Sequence, residues 1–348
     1  MKESAARPRV AIIIVSWNSW SHMEDCLASL QKVTYPNVEI VVVDNASADG
    51  SADRIAAFRP AITLLRNTKN LGSAGGNNVG MRYALAHGAD YVWLLNADAE
   101  PEPDAVALLV EAAEAHPNAG MVAPVLFDFH QRNHVQNCGS IIDWDRCKVF
   151  HVTDPGAVAT ADASRYWVWA TAVLMRRRLL ETVGLYDERY FVYGDDLDLS
   201  ARAIRSGFVN RTVIDAKVYH KSHYSGDVRA LPLHYYFYTT RNRYFFWMRF
   251  LPWHRRVTFS RRYARDTITR LIEYKGSDAQ EVADALCDSL FYALTGRGGL
   301  WDRSVKMPAW MKRLVIRHRF ALVELLDFRI DRIVGGVVKK AARRLRRP

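Results

Sequence analysis

Residues 10–16 read VAIIIVS and residues 91–96 read YVWLLN, two short apolar runs rich in β-branched or aromatic side chains. Continuous apolar runs of this length predict strands covered on both faces. Glu39–Asp44 and Ile62–Arg66 have the same character, and helical patterns follow three of the four runs, at residues 21–32, 75–87 and 103–116. This order predicts a mainly parallel α/β sheet with helices on both faces, in which ligands bind beyond the carboxyl ends of the strands.

The second half of the chain changes character twice. Phe127–Ser164 is polar and broken, which predicts irregular loops or hairpins. The pattern then predicts a strand, two helices and a further strand, at Trp167–Met175, Arg177–Val183, Asp195–Ser206 and Phe208–Ile214. From about Leu231 the strand pattern disappears, and amphipathic helices are expected to the end of the chain.

Composition places the chain among ordinary globular proteins. It has 348 residues, of which 49% are hydrophobic and 24% charged. The four cysteines show no CxxC spacing, which argues against a disulfide framework or a zinc ribbon and favours a reducing, cytoplasmic setting. No secretion signal or run of 18 uncharged apolar residues is visible, so we expect no membrane span.

The net charge of +11 is concentrated in two places. Val228–Arg265 contains nine arginines and no acidic residue, interleaved with aromatic side chains, and Val337–Arg347 carries six Lys or Arg residues without an acid. Such asymmetry suits an anionic partner, whether nucleic acid, a phosphorylated lipid or the inner surface of the cytoplasmic membrane.

The turns after the strands narrow the class of ligand. Ser16–Trp20 reads SWNSW without glycine, which disfavours a GxGxxG dinucleotide site and a P-loop. Asp44, at the end of the second strand, is placed to accept from a base or a ribose, although acids also fill such turns for structural reasons. Asn67–Gly80 reads NTKNLGSAGGNNVG and offers either backbone donors to an anion at a helix start or a plain loop and cap.

Acidic residues mark two further positions. Asp98 follows the fourth strand, where a carboxylate would hold Mg²⁺ or Mn²⁺ together with diphosphate oxygens and water, and Glu100 is an outer partner or a solvated acid. Asp195 and Asp196 open a predicted helix. One of them would remove the proton of an acceptor hydroxyl, and we favour Asp196, although acids at a helix start are also ordinary caps.

The ordered motifs resemble those of inverting family 2 glycosyltransferases with a GT-A fold, especially the bacterial rhamnosyltransferase-like branch. The motifs are VAIIIVSWN, VVVDNASADGS, NLGSAGGNNVG, LLNADAEPEPD and GLYDERYFVYGDDLDLSARAIRSGF, which together span about Val10–His220. The resemblance implies a GT-A catalytic domain, which we place at residues 1–228, and we assign residues 229–348 to a basic helical region facing the acceptor or the membrane.

The resemblance also implies roles for individual residues. Asp44 would contact the nucleotide base, Asp98 would match the last acid of the DxD metal signature, and the acidic pair would supply the base. Two positions depart from the pattern, because Asn96 replaces the first acid of the signature and Asp195 replaces the usual Glu.

Three residues beyond these motifs receive roles from the same resemblance. His220 would complete the metal or phosphate site, with His223 as a competitor. Arg241 would contact the diphosphate or an acceptor phosphate, or would belong to a basic helix face. Trp169 would form the acceptor wall, although Trp in an apolar run is usually core.

The predicted site therefore has four parts. The catalytic pair is Asp196 and Asp195, the metal ligands are Asp98 and His220, and the acceptor residue is Trp169. The predicted nucleotide-sugar residues are Ser16, Asn18, Asp44, Asn70, Gly72, Gly76, Asn77, Asn96 and Arg241.

The resemblance predicts transfer of a sugar, L-rhamnose from dTDP-rhamnose, to a glycolipid or polysaccharide acceptor by a protein bound peripherally to the inner face of the cytoplasmic membrane. A UDP-sugar donor carrying galactofuranose, glucose or an N-acetylhexosamine is the alternative. A nucleic-acid-binding protein would rest on charge alone, since no recognition motif accompanies it, and we expect no nucleic-acid partner. The sequence leaves the oligomeric state open.

Overall fold

The computed structural model describes residues 7–58, 62–221, 231–274 and 278–327. Its first part alternates strands and helices, as predicted. In chain order these are β1 (Val10–Ser16), α1 (Trp20–Leu30), β2 (Val38–Asp44), α2 (Ser51–Ala57), β3 (Thr63–Arg66), α3 (Gly72–Ala86) and β4 (Tyr91–Leu95). The four strands pair in parallel in the order β3-β2-β1-β4. Their carboxyl ends therefore lie at one edge of the sheet.

The first strand shows why an uninterrupted apolar run forms the centre of this sheet. Val10, Ile12 and Ile14 pack into one buried cluster, while Ala11 and Ile13 pack into another. Successive side chains of a strand point to opposite faces, so each face of β1 needs its own apolar cover. All five residues are fully buried.

The sheet continues through strands from later in the chain. The elements are β5 (Ala99–Pro101), α4 (Ala105–Ala115), β6 (Ala119–Asp128), β7 (Val135–Asn137), β11 (Ala172–Arg176), α5 (Arg177–Val183), α6 (Asp195–Arg205) and β12 (Val209–His220). Over the described residues the order is β3-β2-β1-β4-β11-β6-β12-β5, with β7 paired to β6. β11 runs antiparallel to β4 and β6, whereas β6 and β12 are parallel.

The single strand predicted over Trp167–Met175 is wrong. The chain instead forms β10 (Tyr166–Trp167), which pairs with β8 (Ser140–Asp143) in a small antiparallel sheet that also contains β9 (Lys148–His151). It then leaves that sheet and enters the large one as β11. An apolar run looks continuous in sequence even where its backbone changes hydrogen-bond partners, so local periodicity does not detect the break.

The chain divides into two compact units, Met1–Asp227 with Gly298–Leu300, and Val228–Arg297 with Trp301–Pro348. The described part of the second unit is helical, as predicted. Its helices are α7 (Leu233–Phe250), α8 (Trp253–Glu273), α9 (Ala279–Thr295), α10 (Ala309–Arg317) and α11 (Arg319–Asp327). Aromatic residues of α7 and α8 form much of its interior, including Tyr236, Phe237, Phe246 and Tyr263. Within the described ranges, no helix is both long and apolar enough to cross a bilayer.

Candidate active site at the strand ends

The ends of β1 and β2 bring two predicted nucleotide residues side by side. Ser16 and Asp44 are register partners in the parallel pair, and both are buried. The Asp44 carboxylate accepts from the backbone N–H of Ser47, at 3.3 Å for the nearer oxygen. Asp44 therefore organises the turn that follows it, and its contact with a nucleotide base stays a prediction.

Asn18 joins the two loops above these strands. Its backbone N–H donates to Ser47 Oγ at 2.9 Å, and its side-chain oxygen accepts from the backbone N–H of Ala48 at 2.8 Å. Its φ of 50° lies in the left-handed region, where Asn is one of the better tolerated residues. Asn18 thus holds the loop after β1 against the loop after β2.

The side chain of Asn45 makes four hydrogen bonds that the sequence interpretation missed. Its side-chain amide donates to Asn70 Oδ1 and to the carbonyl of Gly72, both at 3.0 Å. Its oxygen accepts from Asn67 Nδ2 at 3.0 Å and from the backbone N–H of Leu71 at 3.1 Å. Asn45 is buried and shapes the entry to α3. In sequence it looked like a turn residue, and only its contacts reveal this role.

The glycines before and within α3 are required by packing. Gly72 has φ of 72°, and a Cβ there would lie 2.3 Å from the carbonyl oxygen of Phe191. A Cβ at Gly76 would lie 2.8 Å from Val15 Cγ1. Asn77 donates back to the carbonyl of Ser73, one turn earlier, at 3.0 Å. These contacts explain why glycine occupies positions 72 and 76 and asparagine position 77. The contacts of these residues with a donor diphosphate stay a prediction.

The predicted metal ligands lie together. Asp98 lies in the segment after β4 and His220 ends β12. Asp98 Oδ1 and His220 Nε2 are 3.3 Å apart. Asn96 is exposed, and its Nδ2 lies 3.5 Å from the same nitrogen of His220. Burial raises the pKa of Asp98, but the hydrogen bond and charge of His220 outweigh it, so the pKa is below its ordinary value. His223, the competing histidine, lies outside the described residues.

Gln136, which the sequence interpretation also missed, determines how His220 is presented. Gln136 Nε2 donates to the backbone carbonyl of His220 at 3.0 Å and to Asp128 Oδ2 at 3.3 Å. Both partners are acceptors, so the amide nitrogen must face them and the amide oxygen must face His220 Nδ1, 3.1 Å away. A neutral His220 then carries its proton on Nδ1 and leaves the Nε2 lone pair toward Asp98.

This arrangement fits a cation. A neutral imidazole nitrogen and a carboxylate oxygen are both acceptors, and two acceptors 3.3 Å apart need a proton or a metal ion between them. No group of three or more His, Cys, Asp or Glu side chains suited to a metal occurs in the described ranges. A cation here would therefore have Asp98 and His220 as protein ligands and would take further oxygen ligands from substrate or water.

Hydrogen bonds connect Asn96, two residues before Asp98, to the segment that contacts the acidic pair. Asn96 donates its N–H to the carbonyl of Thr171 at 2.8 Å, where β4 and β11 meet. The next residue back, Ala170, donates its N–H to Asp196 Oδ2 at 3.2 Å. Asp196 therefore lies at the edge of the sheet where β4 ends, the same edge from which the Asp98 segment begins.

The two carboxyl groups of the acidic pair differ in surroundings. Asp196 is half-buried and also accepts from the backbone N–H of Leu197 at 2.8 Å, at the start of α6. Asp195 is buried, and its Oδ2 has no hydrogen-bond partner among the described residues. Asp198, one turn along, pairs with Arg202 at 2.8 Å and is the plain ion pair expected for that spacing.

Burial raises the pKa of both carboxyl groups, and the charge of Asp196 raises that of Asp195 further. Backbone donation from Ala170 and Leu197 stabilises the ionised form of Asp196 and limits its rise. The two backbone donors to Asp196 favour its ionised form, whereas the buried Oδ2 of Asp195 accepts no hydrogen bond among the described residues. Because each charge opposes the other, the two carboxyl groups lose their protons in two steps that belong to the pair.

Trp169 precedes Ala170, whose N–H donates to Asp196, and is partly exposed. Its indole N–H donates to Ser140 Oγ at 3.1 Å, and Ser140 Oγ lies 2.9 Å from His151 Nδ1. The rings of Trp169 and His151 meet edge to face with centroids 5.1 Å apart. Trp169 is thus held at the small sheet near Ala170, and its role toward an acceptor stays a prediction.

Arg241 lies in the second unit and is fully buried. Its guanidinium carbon is 5.2 Å from the ring centroid of Phe237 and 4.9 Å from that of Tyr238, and its Nε donates to Asn242 Oδ1 at 2.9 Å. It therefore contributes to the interior of that unit, and its predicted phosphate contact stays untested.

The model of the family described as "Glycosyl transferase family 2" matches residues 11–183, which contain β1 to α5 and the Asp98 region. The chain belongs to glycosyltransferase family 2. The predicted family and enzyme class are thereby confirmed.

Two relatives of this glycosyltransferase come from Mycobacterium tuberculosis. An N-acetylglucosaminyl-diphospho-decaprenol L-rhamnosyltransferase is 28% identical over 236 residues, covering 62% of this chain and 77% of the relative. Galactofuranosyltransferase GlfT1 is 32% identical over 187 residues, covering 52% of this chain and 60% of the relative.

Among solved structures, GalNAc-T7 with UDP, GalNAc and Mn²⁺ matches the glycosyltransferase at a TM-score of 0.58 and 17% identity. The match covers 84% of this chain and 56% of that one. At this identity the likeness concerns the fold alone, and it confirms the predicted GT-A architecture.

Proposed function

We propose that this glycosyltransferase moves L-rhamnose from dTDP-rhamnose to a lipid-linked or cell-surface polysaccharide acceptor, with inversion at the anomeric carbon. The observation that carries the proposal is the hydrogen-bonded path from Asn96 through Thr171 and Ala170 to Asp196. Together with the contact between Asp98 and His220, it supports the proposal, because an inverting transfer needs a base and a cation that stabilises the leaving group at one site.

Asp98 and Nε2 of His220 would hold a divalent cation, Mg²⁺ or Mn²⁺. When bound, such an ion offsets the negative charge that develops on a departing nucleoside diphosphate. Two further side chains shape the surroundings of this cation position. Gln136 orients the imidazole, and the exposed Asn96 adds a neutral amide where a second carboxylate would increase the charge. GalNAc-T7 is described with Mn²⁺, which supports the choice of ion.

Asp196 acts as the general base. It is the member of the acidic pair whose ionised form is favoured by two backbone donors, and it is partly exposed. It would remove the proton of the acceptor hydroxyl as that oxygen attacks the anomeric carbon opposite the leaving phosphate. Asp195 would keep its proton and leave the charge on its neighbour. Trp169 stands near the base as an aromatic face for a sugar ring.

The choice of rhamnose and of a lipid-linked acceptor rests on the relatives. The L-rhamnosyltransferase of M. tuberculosis is named for transfer to N-acetylglucosaminyl-diphospho-decaprenol. A second candidate is galactofuranosyl transfer from a UDP-sugar, since GlfT1 shows the higher identity over a shorter stretch. A lipid-linked acceptor would place the enzyme at the inner face of the cytoplasmic membrane.

The test is a panel of nucleotide-sugars with Mg²⁺ or Mn²⁺ in which release of dTDP, UDP or GDP is measured. We expect dTDP-rhamnose to be used, and we expect Asp98→Ala and Asp196→Ala each to lower turnover by about 10²-fold or more. Asp53→Ala, an exposed acid at the start of α2, is the control and should keep full activity. Full turnover in both site variants would contradict the mechanism, and turnover of UDP-galactofuranose alone would favour the second candidate.

A further inference from the structure

Helix α10 of the second unit has two different faces. On one side Val315 is buried, and Lys312 forms an ion pair with Asp284 of α9 at 2.5 Å. On the other side Trp310 and Leu314 are 64% and 50% exposed. Residues four apart lie on the same face of a helix, so these two apolar side chains form one exposed stripe.

Arginines accompany the stripe. Arg313 and Arg317 are exposed and lie three and seven positions after Trp310, on the same side of the helix. Between Arg303 and Val323 the sequence has six Lys or Arg residues and no Asp or Glu. We name Trp310, Arg313, Leu314 and Arg317 the α10 face. It combines aromatic and aliphatic side chains with positive charge, and no acid of its own helix offsets that charge.

The same composition recurs at the start of α8. Trp253 is 81% exposed and Val257 is 70% exposed, four positions apart, with the exposed Arg256 between them. Exposed apolar side chains are common singly, but paired stripes with adjacent arginines are characteristic of surfaces that enter a lipid headgroup region.

In the described part of the arginine-rich and aromatic stretch that the sequence suggested for an anionic partner, some side chains are internal and others, at the start of α8, are exposed. Within α7, Arg241 is fully buried and Arg243 pairs with Asp266 of α8 at 3.0 Å. These side chains stabilise the helical unit internally. The basic tail at Val337–Arg347 lies outside the described residues. The exposed positive and apolar surface that the structure does describe is on α10 and at the start of α8.

We propose that the α10 face docks on the anionic surface of a lipid bilayer, with Trp310 and Leu314 in the headgroup region and Arg313 and Arg317 against lipid phosphates. Lys and Arg near such a surface are attracted by its negative potential, and Trp is favoured at the interface. The inference deepens the proposed function, on which its purpose rests, because a lipid-linked acceptor is presented at a bilayer.

Charge favours a bilayer over a second copy of the chain. A two-fold contact through the α10 face would place Arg313 and Arg317 of one copy near the same arginines of the other, and like charges at an interface oppose association. An anionic bilayer offers the opposite charge and an apolar layer beneath it.

The experiment is flotation of the full chain with vesicles that contain neither donor nor acceptor. One set is phosphatidylcholine alone, and the other is equal parts phosphatidylcholine and phosphatidylglycerol. We expect binding to the mixed vesicles that weakens as salt is added, since salt screens the charge contribution. We expect Trp310→Ser with Leu314→Ser, and separately Arg313→Glu with Arg317→Glu, to weaken binding at least tenfold. Equal binding of the unmodified chain to both vesicle types would overturn the proposal.

Matched controls separate docking from other effects. Leu294→Ser removes an apolar side chain that is 51% exposed on α9, and Arg211→Glu reverses an exposed charge on β12, so both should bind as the unmodified chain does. Asp98→Ala should lose transfer and keep vesicle binding, which distinguishes failure of the proposed function from failure of docking.

Two further measurements make the result decisive. Circular dichroism and melting temperature must show that each double variant is folded, and a folded double variant that binds vesicles normally would overturn the proposal. Light scattering reports self-association. If the double variants only convert a dimer to a monomer and leave vesicle binding unchanged, the α10 face is a contact between copies and the proposal is wrong.

Discussion

At His220 the two imidazole nitrogens face different partners, Gln136 on one side and Asp98 on the other. The ring can serve a cation at Nε2 only while its proton stays on Nδ1, and the Gln136 oxygen holds the proton there. The role proposed for His220 would thus depend on a side chain from β7, a strand in the segment whose sequence looked irregular.

Gln136→Met tests this dependence. The substitution keeps a side chain of similar length but removes the acceptor for Nδ1–H, so we expect Mn²⁺ affinity to fall about 10- to 100-fold. Titration calorimetry of Mn²⁺ binding measures this directly. Nitrogen NMR of the imidazole should show an unprotonated Nε2 in the unmodified chain and a mixture of tautomers in the variant. Gln131→Met, at an exposed glutamine nearby, is the control, and equal affinity in both variants would contradict the assignment.

The acidic pair gives a prediction about pH. Because burial raises the pKa of Asp196 and the base must be ionised, kcat/KM should fall as pH decreases through a range above that of an ordinary aspartate. Asp196→Asn should remove this limb together with most activity. Asp195→Asn imitates a carboxyl that is already protonated, so it should keep measurable turnover and the same limb. A larger loss in Asp195→Asn than in Asp196→Asn would reverse the two roles.

The order of the motifs placed Asp98, His220 and Asp196 at strand and helix ends, and the structure brings Asp98 beside His220 and Asp196 beside Ala170. Their roles toward a metal and an acceptor stay predictions. Asn45 and Gln136 were not predictable in this way. Each acts through hydrogen bonds to residues that are distant in sequence, and an amide side chain in a polar loop looks the same whether it is solvated or bonded on both sides.

At the scale of elements, α3 begins where glycine is required. Gly72 combines a positive φ with a backbone that passes Phe191 too closely for a Cβ, while a Cβ at Gly88, after the same helix, would meet no described atom within 4 Å at a similar φ of 79°. The two positions share the conformational constraint and differ in the space around them.

Gly72→Ala and Gly88→Ala therefore form a matched pair. Gly88→Ala should lower the free energy of unfolding by about 1 kcal/mol, the cost of a left-handed alanine. Gly72→Ala should cost about 1–3 kcal/mol more, because the Phe191 segment must move. Chemical denaturation of both variants measures the difference, and equal destabilisation would show that the Phe191 contact relaxes freely.

The strands of the large sheet were predictable where an apolar run coincides with one strand. Val10–Ser16 and Tyr91–Leu95 agree with the prediction within one residue because both faces of these strands are covered. The run from Trp167 to Met175 was not predictable in this way, because its residues belong to two different sheets. β12 likewise extends to His220, beyond the predicted Ile214, and passes through an irregular pairing with β6 between Val213 and Lys217.

At the scale of the whole molecule, ligand binding should raise the free energy of unfolding. A ligand that binds only the folded state at a hundredfold excess over its Kd adds about 2.7 kcal/mol to the free energy of unfolding. We therefore expect dTDP with Mn²⁺ to raise the melting temperature more than dTDP alone or GDP with Mn²⁺. In Asp98→Asn the increment from Mn²⁺ should disappear while that from dTDP alone remains. An unchanged Mn²⁺ increment in this variant would place the ion elsewhere.

The hydrogen bond between Asn96 and Thr171 has a consequence for how such enzymes diversify. It belongs to the meeting of β4 and β11, whereas the loop over residues 67–72 is held separately by Asn45. We expect that a chimera which exchanges residues 68–69 for those of a relative, and keeps Gly72 and the partners of Asn45, would alter the surface of this loop without moving Asp98 or the Phe191 segment that leads to Asp196. If the donor contacts predicted for this loop hold, donor preference and reaction geometry would depend on different parts of the backbone, and one could change while the other is preserved.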